Sequence, residues 1–396
     1  MTFKISKILN LNSFPSHPFN NLVINFLDEL SKKLIKSYEA RKFNDLVTFG
    51  FWIRKNNLLK YKEYLPSSIS KMKFGVGLVF HITPSNVPMN FAYSFTFGLL
   101  TGNSNIVRIP SNDFPQVKIF KKIFTKLIKK TKYKNLDKSN LLIKYKKEKI
   151  DVTEEISKIS DARMIWGGDN TINEIKKINS KINCRDIVFS DKFSLSIINL
   201  DDLKKNLKSI NRIAENYYND LFFMDQNACT SPHLLLWYSK KIIKNKALIK
   251  LFWEKVSEIA LKKYKLQHKD SIKKLHEVFE DTNKDKSISA INNFRGMLTV
   301  VTINKIKKDL EIYTKNFGYI YEGNYTIKSV KEILTNRKIQ TISYYGFDLN
   351  FFNDLFKNNK IRGVDRIVPI GQSHNIDFFW DGYNLAEHLT RTIDLK

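Results

Sequence analysis

The chain carries two cysteines, and one of them stands in a polar loop, DQNACTSPH (225–233), between the aromatic run YYNDLFF and the apolar run LLLWY. An un-ionised thiol packs like a small hydrophobe, so a structural cysteine belongs inside an apolar run. Cys229 is presented instead, as a nucleophile would be. A thiolate attacks an activated acyl carbon and holds the acyl group as a thioester. An unperturbed thiol has a pKa of about 8.5, so efficient attack asks for a local positive field or a helix N-terminus. His233 closes the same loop and has two readings: a group that stabilises the thiolate or donates a proton, or a packing residue. Cys184, in KINCRDIVF, reads as a core or strand-edge cysteine. The seven histidines show no spacing with cysteine or carboxylate that would hold zinc, and no metal is expected.

The elements that must position this loop follow from hydrophobic period. The first seventy residues read as helical, with Leu22, Ile24, Leu27, Leu30 and Leu34 near a 3.6-residue spacing, and as a cover for a larger domain. FGVGLVF, SNIVRI and DARMIW read as buried strands that end in the shaped turns HITPSNVP, IPSND and WGGDN. Pro115 opens a helix whose Val117, Phe120, Phe124, Leu127 and Ile128 share a face. Beyond Cys229 the strands LLLWY, GYIYEG, IQTISYY and DRIVPIG alternate with helical segments, and the charge-rich KLQHKDSIKKLHEVFEDTNKDKS reads as an exposed loop or excursion. Strand alternating with helix implies mostly parallel, doubly wound sheets. Ligands bind such sheets beyond the carboxyl ends of strands, and a glycine turn leading into a helix, such as Gly167-Gly168, offers amides to a phosphate. FGVGLVF lacks a third glycine and a following helix, so it is not a dinucleotide fingerprint. Phe91, Tyr93 and Phe95 face either the core or an acyl tunnel.

The net charge of +28, from 67 basic and 39 acidic residues, raises the question of a nucleic-acid partner. The lysines are spread along the whole chain among many Ile and Asn, with no accompanying nucleic-acid motif. They read as solvated faces, and nucleic acid is not expected. No run reaches the roughly 18 apolar residues of a membrane span. The N-terminal stretch also lacks a signal-peptide pattern, so a cytoplasmic location is expected.

Taken together, HITPSNVPMNFAYSFTFGLLTGNSNIVRIPS, IWGGDNTINEI, DQNACTSPH, GVDRIVPIG and WDGYNLAEHLTR resemble the acyl-CoA reductase family, the LuxC type, within the aldehyde dehydrogenase superfamily. The resemblance runs from about Gly75 onward. It implies an aldehyde-dehydrogenase-like α/β fold: two doubly wound domains with the active site between them. The expected division is 1–205 for a helical cover plus NAD(P)-binding domain, 206–370 for a catalytic domain, and 371–396 for a segment returning to the domain interface.

The resemblance also implies roles. Cys229 forms the acyl thioester, and Asn86, matching a Pro-x-Asn motif, stabilises the oxyanion together with the Cys229 amide. Pro84, Arg108, Ser111, Gly167, Gly168 and Thr171 hold the cofactor. Arg108 stands where the superfamily has lysine, and a guanidinium there pairs with a 2′-phosphate, so NADPH is expected, with NADH as the alternative. VFSDKFS replaces the segment whose glutamate activates water, although Asp191 is close by. Lys315 replaces the glutamate that precedes Phe-Gly. The implied reaction is reduction of an acyl thioester to an aldehyde. Acyl-CoA or an acyl-carrying protein, such as an acyl-protein synthetase, is the implied donor, and a homo-oligomer is expected. Two alternatives stay open: an acyl-phosphate reductase of the same superfamily, and a non-catalytic basic binding protein for nucleic acid or a partner enzyme.

Overall fold

The computed structural model describes residues 11, 15–65, 71–239, 245–335, 338–359, 361 and 363–396. Within the N-terminal stretch, helix α1 (Asn21–Lys36) starts at Asn20, whose side chain accepts the Val23 amide at 3.0 Å, a cap that satisfies one of the unpaired first-turn donors. Its buried stripe is Val23, Ile24, Phe26, Leu27, Leu30 and Leu34, while Leu22 faces out. Helix α2 (Asn44–Trp52) brings Phe49 and Trp52 onto Tyr93, with ring centroids 5.0 Å apart in each pair. The expected helical cover is therefore present from Asn21, and residues 1–10, 12–14 and 66–70 lie outside the described residues.

FGVGLVF divides into two strands where its alternation predicts one: β1 (Lys71–Gly75) and β2 (Leu78–Ile82). Gly77 makes the break. Its φ is +135°, and a Cβ there would stand 2.2 Å from Asp161 Oδ2, which accepts the Leu78 amide at 2.8 Å. Only glycine fits that turn. From β2 the chain runs through α3 (Asn90–Leu100), β3 (Ser104–Arg108), α4 (Pro115–Ile128), β4 (Asn140–Ile143), α5 (Ile150–Ile159), β5 (Ala162–Trp166), α6 (Asp169–Lys176) and β6 (Arg185–Phe189). The strands order as β4-β3-β2-β5-β6, every pair parallel. Phe91 packs edge-on to Phe120 and Phe95 to Phe124, so these aromatics belong to the core between α3 and α4. A buried polar chain crosses the sheet. Trp166 Nε1–H donates to Ser94 Oγ (3.0 Å), Ser94 Oγ meets His81 Nδ1 (2.8 Å), His81 Nε2 meets Asn105 Oδ1 (2.9 Å), and Asn105 Nδ2 donates to Asn140 Oδ1 (2.7 Å). An amide oxygen only accepts, so His81 carries its proton on Nε2.

The second unit is Asp191–Asp377. It holds β7 (Phe193–Asn199), α7 (Ile210–Phe222), β8 (Pro232–Tyr238), α8 (Lys246–Lys263), α9 (His268–Lys284), β9 (Ile288–Phe294), β10 (Leu298–Ile303), β11 (Tyr319–Tyr325), α10 (Ile327–Leu334), β12 (Ile339–Tyr345), α11 (Leu349–Asn359) and β13 (Val364–Pro369). The sheet order is β13-β12-β7-β8-β11-β10-β9, parallel throughout except for the β9–β10 pair. Because β7 pairs with both β8 and β12, residues 191–205 belong with the cysteine's sheet, and the division falls after Ser190 instead of near 205. The segment read as an excursion is α9. Its Ile272, Leu275 and Phe279 recur at helical spacing but are exposed, and its one buried residue among those described is Lys274, which gives Nζ to the Met297 carbonyl at 2.8 Å.

Residues 371–377 stay in the second unit, and from Phe378 the chain rejoins the first. There β14 (Phe379–Trp380) and β15 (Tyr383–Asn384) form a hairpin, and β16 (Thr390–Asp394) pairs antiparallel with β1. Among the described residues no helix is long and apolar enough to cross a membrane.

Candidate active site

In the first unit's five-stranded sheet the strand order reverses between β2 and β5. Loops leaving the carboxyl ends of two such strands diverge and open a crevice. The six cofactor candidates of the sequence gather along this edge: Pro84 after β2, Arg108 and Ser111 at and after β3, and Gly167, Gly168 and Thr171 after β5. Two hydroxyls tie the neighbouring loops, Thr83 donating to the Arg108 carbonyl at 2.6 Å and Ser111 to Ser85 Oγ at 3.1 Å. Gly168 is the N-cap of α6 and supplies no capping side chain, which leaves the first-turn amides to a ligand. Arg108 is buried, its guanidinium 4.8 Å from the centre of the Tyr145 ring, and no carboxylate pairs with it among the described residues. A buried cation without a counter-ion is costly on its own and favourable once an anion reaches it. These residues fit a phosphorylated nucleotide. Asn86 stands exposed in the loop after β2.

Cys229 is exposed, at the amino end of β8. Its loop is reached through a rare backbone: Met224, Asp225 and Gln226 have φ of 54°, 55° and 64°, three left-handed residues in succession without a glycine. Each is disfavoured by roughly 1 kcal/mol or more, so the surroundings must hold them. Gln226 does so. Fully buried, it donates from Nε2 to the Pro232 and Tyr319 carbonyls, each at 3.0 Å, and accepts the Gly318 amide on Oε1 at 3.0 Å. The Phe317 amide donates to the Asp225 carbonyl at 3.2 Å. Gly318 itself has φ +75°, and a Cβ there would meet the Phe222 ring at 2.7 Å. Ser194 Oγ donates to the Cys229 carbonyl at 2.6 Å and accepts the Thr341 amide at 3.2 Å. The loop is thus fastened to the starts of β7, β8, β11 and β12.

Three groups of the second unit that titrate are pushed by burial. His374 donates from Nε2 to the Asp220 carbonyl at 2.9 Å, so its Nδ1 is the acceptor for the Thr230 hydroxyl at 2.7 Å; burial lowers its pKa to about 4. Asp220 takes the Gly371 and Ser373 amides at 2.7 and 3.1 Å, yet burial still raises its carboxyl to about 6. Burial likewise lowers His233 to about 4, against an opposing hydrogen bond to the Lys315 backbone. His233 is therefore neutral at pH 7, and its Nδ1 is buried without a partner. It brings no positive charge to the thiol.

Cys229 and His233 share one cavity of about 680 Å³. Asp191, Lys192, Lys308, Asp309, Glu311 and Lys338 line it as well, together with Thr314 and Asn316. Three of the fifteen lining residues, Phe193, Ala228 and Leu310, are apolar. Lys315 points elsewhere: its Nζ lies 3.7 Å from Asp281 Oδ1 and pairs with Glu277 of α9.

The acyl-CoA reductase (LuxC) family description matches residues 55–392 of the chain. The chain belongs to this family. Solved structures agree on the fold. The aldehyde dehydrogenase KauB from Pseudomonas aeruginosa superposes with a TM-score of 0.64 at 13% identity, covering 94% of this chain and 83% of that one. A NAD-dependent benzaldehyde dehydrogenase from Corynebacterium glutamicum gives 0.61 at 12%, covering 99% and 88%. A bifunctional proline utilization A protein also gives 0.61, at 11% identity, and this acyl-CoA reductase family member spans 42% of its length. No curated protein matches the chain. The family and the aldehyde-dehydrogenase-like fold are those implied by the motif resemblance. Sequence reading did not single out Ser194, Lys308, Thr314, Asn316 or Lys338, because each becomes a neighbour of Cys229 only through strand pairing. The one available signal was the VFSDKFS segment, whose Asp191 and Lys192 both reach the cavity.

Proposed function

We propose that the protein reduces an activated acyl thioester to an aldehyde with a nicotinamide cofactor, through a covalent thioester on Cys229. The observation that carries this reading is an exposed cysteine on a rigidly held loop, in the wall of a cavity, in an acyl-CoA reductase chain. The Cys229 thiolate attacks the acyl carbon, the carbon–sulfur bond of the donor breaks, and the donor leaves as its thiolate. The nicotinamide, when bound, supplies a hydride to the acyl carbon of the enzyme thioester. The resulting thiohemiacetal collapses: its bond to Sγ breaks, the aldehyde departs and the Cys229 thiolate returns. Ser194 fixes the Cys229 backbone for both attacks. Asn86 and the Cys229 amide serve the oxyanion in this reading, such donors contributing roughly 3 kcal/mol each. A neutral His233 acts as a hydrogen-bond acceptor.

Arg108 supports NADPH over NADH, since a 2′-phosphate would provide the anion that the buried guanidinium lacks. Gly167, Gly168, Pro84, Ser111 and Thr171 would cradle the remainder of the nucleotide. Coenzyme A or an acyl-carrying protein is the proposed donor. Incubating the protein with an acyl-CoA and mapping the adduct by mass spectrometry tests the reading. An acyl group on Cys229 supports it, and acylation elsewhere with Cys229 unmodified overturns it.

A further inference from the structure

The segment that carries Cys229 is held at both of its ends by one imidazole. We infer that His374 is a positioning residue for the nucleophile: it closes the base of the cysteine loop and sets where the thiol stands for attack, an inference that rests on the thioester reading above. The Asp220 carbonyl, in the last turn of α7, accepts from His374 Nε2 at 2.9 Å, and the hydroxyl of Thr230, the residue after Cys229, donates to His374 Nδ1 at 2.7 Å. A ring that donates from one nitrogen and accepts on the other joins the entry and the exit of the loop only while it is neutral, and burial keeps it so, with a pKa lowered to about 4. The ring is itself fixed. It lies against the Phe223 ring, with centroids 4.7 Å apart. Its segment follows β13 and is fastened to α7, where the Asp220 carboxylate accepts the Gly371 and Ser373 amides at 2.7 and 3.1 Å. Gly371 has φ +94°, and a Cβ there would stand 2.8 Å from that of Asn216 in α7. Arg366 Nη2 donates to the Asn375 carbonyl at 2.9 Å, just beyond the histidine. The other tethers act at other points: Gln226 holds the left-handed turn, and Ser194 holds the Cys229 carbonyl. With those in place, loss of the ring frees the Thr230 side chain and lets Cys229 drift without opening the sheet. A shift of about 1 Å at a reacting atom can slow a reaction about a hundredfold.

The test follows acylation of Cys229 by tetradecanoyl-CoA in rapid-quench time courses read by mass spectrometry, for wild type, His374→Leu, His374→Gln and Thr230→Val. At saturating acyl-CoA the first-order constant reports the folded molecules alone, whereas a loss of folded protein lowers only the amplitude. A positioning role expects that constant to fall about tenfold to a hundredfold in His374→Leu and in Thr230→Val, with the acyl-CoA concentration for half-maximal rate changed by less than about threefold. Combining the two substitutions should cost no more than either alone, because both remove the same bond. His374→Gln, whose carboxamide offers one donor and one acceptor as the neutral ring does, should recover most of the rate. A wild-type constant in either His374→Leu or Thr230→Val overturns the inference, as does a glutamine variant no faster than the leucine one, while acylated Cys229 leaves the thioester reading standing. Should His374→Leu fail to fold, Thr230→Val alone decides. No adduct on Cys229 in the wild type removes the thioester reading and this inference together.

Discussion

The Gly318 amide donates to Gln226 Oε1 at 3.0 Å, joining two left-handed backbone positions ninety-two residues apart. This bond, with the two that Gln226 gives to the Pro232 and Tyr319 carbonyls, holds the cysteine loop against the starts of β8 and β11. Gln226→Ala leaves three buried backbone groups unpaired and is expected to cost roughly 3 kcal/mol or more. Chemical denaturation of wild type beside the variant measures it, and a loss under about 1 kcal/mol contradicts the clamp.

Cys229 makes the opposite case. Because its side chain is exposed, Cys229→Ala should change unfolding free energy by less than about 0.5 kcal/mol while abolishing acyl-enzyme formation. A variant that reduces thioesters at the wild-type rate shows that another group carries the acyl chain.

Stability should fall on acidification. His81, His233 and His374 all have pKa values lowered to about 4 by burial. In the unfolded chain they take up protons below about 6.5, so the stability they contribute is complete above that pH and drains away as pH falls toward 4. Each can supply roughly 3 kcal/mol. Asp220, raised to about 6, works the other way: its contribution is complete below its unfolded pKa near 4 and is lost as pH rises through 6. Three groups outweigh one. Unfolding followed from pH 7 to pH 4.5 should show a steady loss, and a flat profile refutes the assignment of neutral buried imidazoles.

Removing the Arg108 guanidinium should alter cofactor choice. Arg108→Met is expected to lower kcat/KM for NADPH by roughly tenfold to a hundredfold, the range of a charge-assisted hydrogen bond, and to leave NADH within about threefold. Equal losses with both nucleotides would detach Arg108 from the 2′-phosphate.

Glu322 is a structural counterpart. Its Oε2 accepts the indole N–H groups of Trp237 and Trp253, both at 2.7 Å, and its Oε1 takes the Thr302 hydroxyl at 3.0 Å. Glu322→Leu strands two buried indole donors and should destabilise the chain by roughly 3 kcal/mol, read as a lower midpoint in denaturant. An unchanged midpoint would mean that the indoles find other partners.

Much of this was legible in the sequence. Alternating strand and helix announced the two mostly parallel sheets, and the loop around Cys229 stood out because a thiol sat among polar residues. The losses have physical causes. The break at Gly77 depends on Asp161, a long-range neighbour that no local period encodes. Helix α9 leaves Ile272, Leu275 and Phe279 exposed at helical spacing and buries Lys274 instead, and its many charged residues make it read as a loop or excursion. The sequence left His233 either as a group that stabilises the thiolate or donates a proton or as a packing residue, and asked for a positive field or a helix N-terminus at the thiol. Burial makes that imidazole neutral and strand register surrounds the thiol with balanced charge, both tertiary effects. The turn at 224–226 was invisible because, of its three residues, only Asp225 is of a type that favours left-handed backbone, and Met224 and Gln226 are not.

The pairing of β16 with β1 also orders the events of synthesis. Residues 191–377 form their sheet from one continuous stretch, and that unit can complete itself while translation continues. Lys71–Gly75 must wait, since their partners are Thr390–Asp394, made some three hundred codons later. Until those five residues leave the ribosome, β1 exposes a free strand edge, and the first unit made is the last to be closed.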